Sequence, residues 1–199
     1  MRLSETLQNL DKDILNVFNQ AGTNVALDAL MTAFTVIGIS FVMAAFAIGT
    51  WLRERKELAI DCLVLIAFVS ILTEVIKVVT DRQRPFDSLP NVNTISWLGL
   101  TTSSGPSFPR GHAARAFALA ALLSFGRARM VYVISFALAA CVAVSRIYLG
   151  LHWPSDVLFG SLLGVFTASL LRSFGGAGTP YWRARMRLVH FLERPPCTE

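Results

Sequence analysis

Charged residues are scarce in this sequence. Of its 199 residues, 16% are charged and 54% are hydrophobic, whereas soluble domains have about 25% charged and about 45–50% apolar residues. A soluble core of this size cannot bury that surplus, and the composition excludes disordered, collagen-like and nucleic-acid-binding proteins. The apolar residues fall in long uncharged runs, which indicates an integral membrane protein with one domain over residues 1–199.

Cysteine is also rare. The three cysteines, Cys62, Cys141 and Cys197, have no metal-ligand spacing, and an odd count argues against a disulfide framework. The sequence also lacks an obvious cluster of paired carboxylates that would hold a metal ion. We therefore expect neither a metal nor another cofactor.

Five apolar runs follow one another along the chain: residues 29–52, 58–79, 116–126, 130–145 and 157–171. The first carries no charge and is long enough to cross a membrane as one helix. The last three are shorter than the ~20 residues that a full span needs. The pattern predicts an all-α membrane bundle of about five transmembrane helices.

Three further segments frame this bundle. Residues 1–21 carry apolar residues at helical spacing, which predicts an amphipathic helix on the membrane surface or over the bundle. Prolines and glycines interrupt residues 80–111, so we expect a long loop that carries part of a site. Residues 180–199 form a basic tail, which fits an interfacial helix and a frayed end equally well.

The orientation follows from counting Lys and Arg. The side with the turns at 53–57 and 127–129 and the C-terminal tail has ten, and the other side has eight. The positive-inside rule places the first side in the cytoplasm. The protein is then expected to lie in the cell (inner) membrane, with the 80–111 loop on the extracytoplasmic side.

Polar residues gather at one end of this predicted bundle. Each of the three short runs can be lengthened only by including polar residues: His112 and Arg115 for the first, Arg146 for the second and Asp156 for the third. If the chain crosses at every run, these residues lie on the same side of the membrane. Such side chains cost several kcal/mol in lipid, so we expect them to face inward and form a site.

Three cations in this region lack an equal set of anions. Lys77, Arg84 and Arg146 would suit a multiply charged anion, because Arg presents a planar fork to phosphate oxygens and Lys a point charge. Anchoring to lipid headgroups is the alternative for any one of them. Glu74, three residues before Lys77, is predicted to pair with it as a structural partner inside the bundle.

Two histidines accompany the cations. Pro154 favours the first turn of a helix, so Asp156 can reach back to His152, fix its tautomer and leave the other ring nitrogen free to attack. Capping of the helix by Asp156 is the alternative. Gly111 opens another helix whose N–H groups can approach an anion, and His112 beside it is a candidate general acid.

These clusters resemble the signature motifs of the type 2 phosphatidic acid phosphatase family. The family patterns are K-x6-R-P, P-S-G-H and S-R-x5-H-x3-D. This chain has Lys77…Arg84-Pro85, then Pro109-Arg110-Gly111-His112, then Ser145-Arg146…His152…Asp156. Order and spacing agree across residues 77–156.

The resemblance implies a role for each matching residue. His152 would form a phosphohistidine, with Asp156 orienting it, and His112 would protonate the leaving oxygen and then activate water. The phosphoryl oxygens would be held by Lys77, Arg84, Arg146 and the Gly111 N–H. The cations would supply the charge stabilisation that a metal gives elsewhere, so the reaction would be metal-independent.

Arg110 departs from the family pattern, which has Ser at this position. An arginine here could add a fourth cation for a diphosphate or a second phosphate. It could instead turn to solvent and leave a weakened pocket. The two outcomes predict different substrates and rates.

The resemblance implies hydrolysis of a membrane lipid phosphate or diphosphate, such as a polyprenyl diphosphate, phosphatidylglycerol phosphate or phosphatidic acid. The partners would be the lipid substrate and the bilayer. One alternative is a phosphatase for a soluble phosphate ester, and another is a non-catalytic lipid-phosphate-binding relative weakened by Arg110. Vanadium haloperoxidases share the motifs but are soluble, and the uncharged 29–52 run argues against them.

Overall fold

The chain folds into helices that run back and forth between two ends of a bundle. The computed structural model describes residues 2–20, 24–94 and 105–193. Within them are nine helices and no strands, which confirms the all-α prediction: α1 Arg2–Asn19, α2 Val25–Ile37, α3 Ser40–Leu52, α4 Lys56–Thr80, α5 Pro85–Ser88, α6 Gly111–Ser124, α7 Arg129–Tyr148, α8 Pro154–Phe174 and α9 Pro180–Leu192.

Helix α6 is the centre of the bundle. It packs chiefly against α8 and α7, with α4 on another side, and most of its first eleven residues are buried. A Cβ built on Gly160 or Gly164 of α8 would stand 2.5 Å from the Arg110 carbonyl oxygen or 2.1 Å from that of Ala114. The two glycines, spaced four residues apart, therefore let α8 lie directly on the backbone of α6.

Three helices are long and apolar enough to cross a membrane: the one that begins at Lys56, and α7 and α8. Helix α6 has 14 residues and is too short by itself, at about 1.5 Å per residue, for a hydrocarbon core about 30 Å thick. A bundle with three or four candidate spans is established, and the count of five stays a prediction.

The run at 29–52 is not the single helix that the sequence predicted. It forms α2 and α3, which meet near Gly38 with a bend of 60° and together make a fourth candidate span. A Cβ built on Gly38 would stand 2.7 Å from Val142 Cγ1 and 3.0 Å from His112 Cδ2. The break therefore lies where α7 and the start of α6 press against the chain.

Polar residues take part in docking both outer helices on the bundle, beside the buried Leu15 of α1 and Val189 of α9. In α1, Asp11, Leu15 and Asn19 are buried, while the apolar Leu7 and Val17 are exposed. Arg185 of α9 forms ion pairs with Asp61 and Glu57 of α4. Residues 180–192 are therefore a docked helix, and residues 194–199 of the predicted tail lie outside the described residues.

Candidate active site

The predicted site residues meet at one end of the bundle. This end, called here the site end, is formed by the last turns of α4 and α7 and the first turns of α6 and α8. Lys77 lies near the end of α4, Arg146 near the end of α7, and Asp156 in the first turn of α8, which begins at Pro154 as predicted. The order of helix ends and starts thus brings together residues that are up to 79 positions apart.

His152 is fully buried and held in one tautomer by its neighbours. Its Nδ1 lies 3.0 Å from the Ser107 carbonyl oxygen, which can only accept a hydrogen bond, so Nδ1 carries the proton. Its Nε2 accepts from Arg84 Nη1 at 3.3 Å and from Arg110 Nη1. The Nε2 lone pair is therefore the one available to a phosphorus atom.

Asp156 does not bind His152 directly. Its Oδ2 lies 3.9 Å from His152 Nδ1, beyond hydrogen-bond length. The Ser107 hydroxyl lies between them, donating to Asp156 Oδ2 and standing 3.3 Å from His152 Nδ1. Asp156 Oδ2 also accepts from the Trp153 N–H at 3.1 Å, so the capping alternative is present as well.

Arg82 links Asp156 to α1 by hydrogen bonds that were not predicted from the sequence. Arg82 Nη1 donates to Asp156 Oδ1 at 2.5 Å, and its Nη2 donates to Asp11 Oδ2 at 2.6 Å. Asp11 in turn accepts from the Ser155 N–H at 2.8 Å and the Ser155 hydroxyl at 2.6 Å. The only signal in the sequence was a charged residue, Asp11, among the polar positions of a predicted amphipathic helix.

Arg110 points into the site. It is 5% exposed, and its guanidinium bridges the two histidines, donating to His152 Nε2 and, at 2.7 Å, to His112 Nδ1. Arg110 is therefore inside the site and not turned to solvent, while its role as a fourth cation for phosphate stays a prediction. The Arg110 backbone lies close against Gly160 of α8.

Two further arginines complete a buried group of positive charge. Arg115 donates to His112 Nδ1 at 3.2 Å, and Arg146 is 1% exposed. With Arg84 and Arg110 they form what we call the cation cluster. Among the described residues no carboxylate pairs with any of the four, and Arg110 Nε, Arg115 Nε, Arg146 Nε and Arg146 Nη1 lack hydrogen-bond partners.

The remaining predicted residues lie at the edge of this cluster. Lys77 pairs with Glu74 at 2.5 Å, as predicted, but the Glu74 side chain is 66% exposed and not inside the bundle. The exposure follows from its place on the outer face of α4. Gly111 is the first residue of α6, and a Cβ there would stand 3.0 Å from Arg115 Nη1.

The electrostatics of the site favour a neutral nucleophile. Burial, followed by the charges of Arg110, Arg146 and Arg84, lowers the pKa of His152 well below its ordinary value. Burial and the neighbouring guanidinium groups likewise lower the pKa of Arg110. An anion placed among these groups would relieve both effects.

An apolar cavity of about 240 Å³ opens between α3, α6 and α7. Residues of the α2–α3 bend, α6 and α7 line it, among them Ile37, Met43, Ala116, Leu119 and Val142. Val142 also packs against Gly38, which in turn touches the His112 ring. The cavity therefore begins one residue away from the predicted general acid.

A model of the PAP2 superfamily matches residues 58–178, more than half of the chain. The chain belongs to the PAP2 superfamily. Among curated relatives, phosphatidylglycerophosphatase B of Bacillus subtilis is 30% identical over 74% of this chain and 75% of its own length. Undecaprenyl-diphosphatase of Sulfolobus acidocaldarius is 28% identical over 77% of this chain and 71% of its own length.

A solved structure agrees with the assignment. The crystal structure of Aquifex aeolicus LpxE is similar to this fold, with a TM-score of 0.75 and 28% identity over 83% of this chain and 96% of that chain. The family drawn from the three motifs is therefore confirmed. The enzyme class is confirmed too, because both curated relatives are named as phosphatases.

Proposed function

We propose that this protein hydrolyses the terminal phosphate of a membrane lipid phosphate or diphosphate through a phosphohistidine on His152. The observation that carries the proposal is the cation cluster around the unprotonated Nε2 of a buried histidine, His152. Buried guanidinium groups without anionic partners are costly, and a phosphoryl group would satisfy them.

The first step transfers the phosphoryl group to the protein. The His152 Nε2 lone pair attacks phosphorus, and the bond from phosphorus to the lipid oxygen breaks with its electron pair staying on that oxygen. His112 supplies the proton that the lipid oxygen takes. Arg84, Arg110 and Arg146 bind the phosphoryl oxygens, with Lys77 at the edge, and stabilise the charge that develops there.

The second step frees the protein. A water oxygen attacks phosphorus, the N–P bond breaks, and its electrons return to His152 Nε2. The water proton passes to His112, which restores the acid, and inorganic phosphate leaves. Ser107 and Asp156 hold the His152 ring in the tautomer that both steps require.

The apolar cavity supports a substrate with a lipid tail. Val142, which lines it, packs against Gly38, and Gly38 contacts the His112 ring, so the chain on the leaving oxygen could extend from His112 into the cavity. A headgroup in the cation cluster can therefore extend its tail between α3, α6 and α7.

We further propose five membrane crossings, with α6 as the central one and α1 on the membrane surface with its apolar face toward lipid.

Phosphate release from a panel of substrates in detergent tests the activity. We expect release from lipid phosphates with EDTA present, and little from sugar phosphates. Loss of activity in EDTA, restored by Mg²⁺, would overturn the metal-independent mechanism. A preference for sugar phosphates would favour the soluble-ester alternative, and no release from any substrate would favour the non-catalytic one.

Cysteine labelling tests the outward orientation of the site. Asn91, near the site end, and Ala128, between α6 and α7, are both exposed. Each is replaced by cysteine in a variant that lacks the native cysteines. We expect Asn91→Cys to react from outside intact cells and Ala128→Cys only after permeabilisation. The reverse pattern would place the site on the cytoplasmic side.

A further inference from the structure

Two arginines of the cation cluster meet at the same atom of the predicted general acid. Arg110 Nη2 and Arg115 Nη2 lie 2.7 Å and 3.2 Å from His112 Nδ1. They are 5% and 7% exposed, and the Nε of each lacks a hydrogen-bond partner. Neither belongs to the family patterns quoted above, in which the arginines correspond to Arg84 and Arg146.

The position of Arg115 follows from the local helix geometry. It lies one turn into α6, and its guanidinium folds back along the helix to the first residue, where Gly111 leaves the room that a Cβ would occupy. Its other nitrogen, Nη1, makes only a long 3.4 Å contact with the Ser70 hydroxyl. The charge thus stands at the N-terminus of α6, where the helix dipole adds to the attraction for an anion.

A fixed positive charge beside His112 has opposite consequences for two kinds of leaving group. An alcohol leaves from a monophosphate only with a proton, and two guanidinium groups oppose the second proton on His112 that would supply it. A lipid monophosphate, the leaving group of a diphosphate, departs as an anion, since its second pKa is about 6. The two arginines can stabilise that anion directly.

We propose that Arg110 and Arg115 form a subsite for the second phosphate of a lipid diphosphate. This inference rests on the proposed function, since it assumes attack by His152 and departure toward His112. The His152 Nε2 lone pair forms the N–P bond to the terminal phosphorus. The bridging P–O bond breaks, and its electron pair stays on the lipid monophosphate, which is bound by Arg115 and Arg110.

Two substrates that differ by one phosphate test the subsite. A prenyl diphosphate and the prenyl monophosphate of the same chain length are assayed in detergent with wild type, Arg115→Gln, Arg115→Lys and Arg110→Ser. We expect Arg115→Gln to lower kcat/KM for the diphosphate by about 10- to 100-fold, with a much smaller change for the monophosphate. Arg115→Lys keeps the charge without the planar fork, so its loss on the diphosphate should be smaller.

The general acid provides the reciprocal measurement. We expect His112→Gln to lower turnover of the monophosphate by more than that of the diphosphate, since only the alcohol needs the proton. Arg110→Ser should shift the ratio of the two rates toward the monophosphate. Arg127→Gln, an exposed site at the opposite end, is the matched control and should leave both rates unchanged.

The outcomes separate the subsite from the proposed function. If wild type releases phosphate from both substrates but Arg115→Gln lowers both rates equally, the subsite is wrong and the phosphatase stands. If wild type releases phosphate from neither, the proposed function fails first. Thermal unfolding of each variant shows that it is folded, and a folded Arg115→Gln with unchanged diphosphate turnover also overturns the subsite.

Discussion

The two ends of the bundle both contain ion pairs, but among the described residues the site end also holds a buried group of cations without carboxylate partners. At the end opposite the site, Asp61 accepts from the Tyr181 hydroxyl at 2.5 Å and from Arg185 Nη1 at 2.6 Å, and Arg185 also pairs with Glu57 at 2.8 Å. At the site end, the four arginines of the cation cluster share no carboxylate among the described residues. Residues 95–104, which are not described, contain no acidic residue.

This difference separates charges that hold the fold from charges that await a ligand. A buried ion pair loses several kcal/mol when one partner is removed, because the other charge is left alone. A buried cation without a partner already carries that cost in the native structure. The four arginines of the cation cluster are therefore expected to lower the stability of the fold in exchange for anion binding, while the Arg185 pairs at the opposite end are expected to contribute to stability.

The largest expected effect is on the nucleophile. His152→Ala should abolish phosphoryl transfer, while His112→Ala lowers it by ~10²–10⁴-fold, the usual contribution of general acid catalysis. A substrate with an activated phenolic leaving group needs less protonation, so it should partly rescue His112→Ala and not His152→Ala. Equal rescue of the two variants, measured as released phenol, would contradict the assignment of nucleophile and acid.

Arg146→Met should inactivate the protein and stabilise it. Methionine fills a similar volume without a buried charge, so we expect the free energy of unfolding to rise by about 1–3 kcal/mol. Thermal unfolding in detergent measures the change. Inorganic phosphate should raise the unfolding midpoint of the wild type more than that of the variant, and a variant less stable than the wild type would contradict an unpaired charge at this position.

Asp61→Asn should have the opposite signature at the other end. Arg185 would lose its half-buried partner and keep only Glu57, so we expect stability to fall by up to about 3 kcal/mol, the lower limit for a fully buried pair. Because the site end is untouched, kcat and KM of the folded variant should match those of the wild type. A fall in kcat without a fall in the unfolding midpoint would mean that the two ends are coupled.

Arg82→Gln should lower kcat with little change in KM. Arg82 touches neither the cation cluster nor the expected phosphate position; it orients Asp156, and misplacement of the nucleophile by about 1 Å can cost about 10²-fold. Asp11→Asn, one step further from His152, should have a smaller effect of the same kind. Partial recovery of kcat in Arg82→Lys would support a positioning role, and a change confined to KM would exclude it.

The smallest effect is on the pH dependence of stability. His152 has a lowered pKa in the folded protein, so the unfolded chain takes up a proton there at higher pH, near 6.5. Folding stability should therefore fall as the pH drops below about 6.5. Thermal unfolding at pH 7.5 and 5.5 should show a larger decrease for wild type than for His152→Gln, and equal decreases would mean that His152 titrates alike in the folded and unfolded chains.

Much of the site could be predicted from the order of polar residues along the chain. Three apolar runs are too short to cross a membrane alone, and they are extended at one end by His112, Arg146 or Asp156. If the chain crosses at every run, these three residues must lie at the same end of the bundle. The preference of proline for the first turn of a helix predicted the start of α8 at Pro154, and the three-residue separation of Glu74 and Lys77 predicted their ion pair. These features depend on helix periodicity and on the cost of charge in lipid, and both act on residues that are near in sequence.

Only the tertiary structure decided how distant residues meet. The spacing of His152 and Asp156 predicted a direct contact, but the Ser107 hydroxyl, 45 residues from His152, lies between them. The apolar face of α1 was visible in the sequence, whereas the docking of its Asp11 onto Arg82 was not.

The sequence by itself determined that positive charge collects beside two histidines at one end of a membrane bundle. The bend at Gly38 and the direction of Arg110, between the histidines and away from solvent, were decided by packing. The backbone of α6 lies against Gly160 and Gly164 of α8; the spacing of the two glycines permits a close helix contact but does not determine which helix makes it. Side-chain direction in a close-packed interior depends on every neighbouring helix at once, which is why spacing could name the residues but not their contacts.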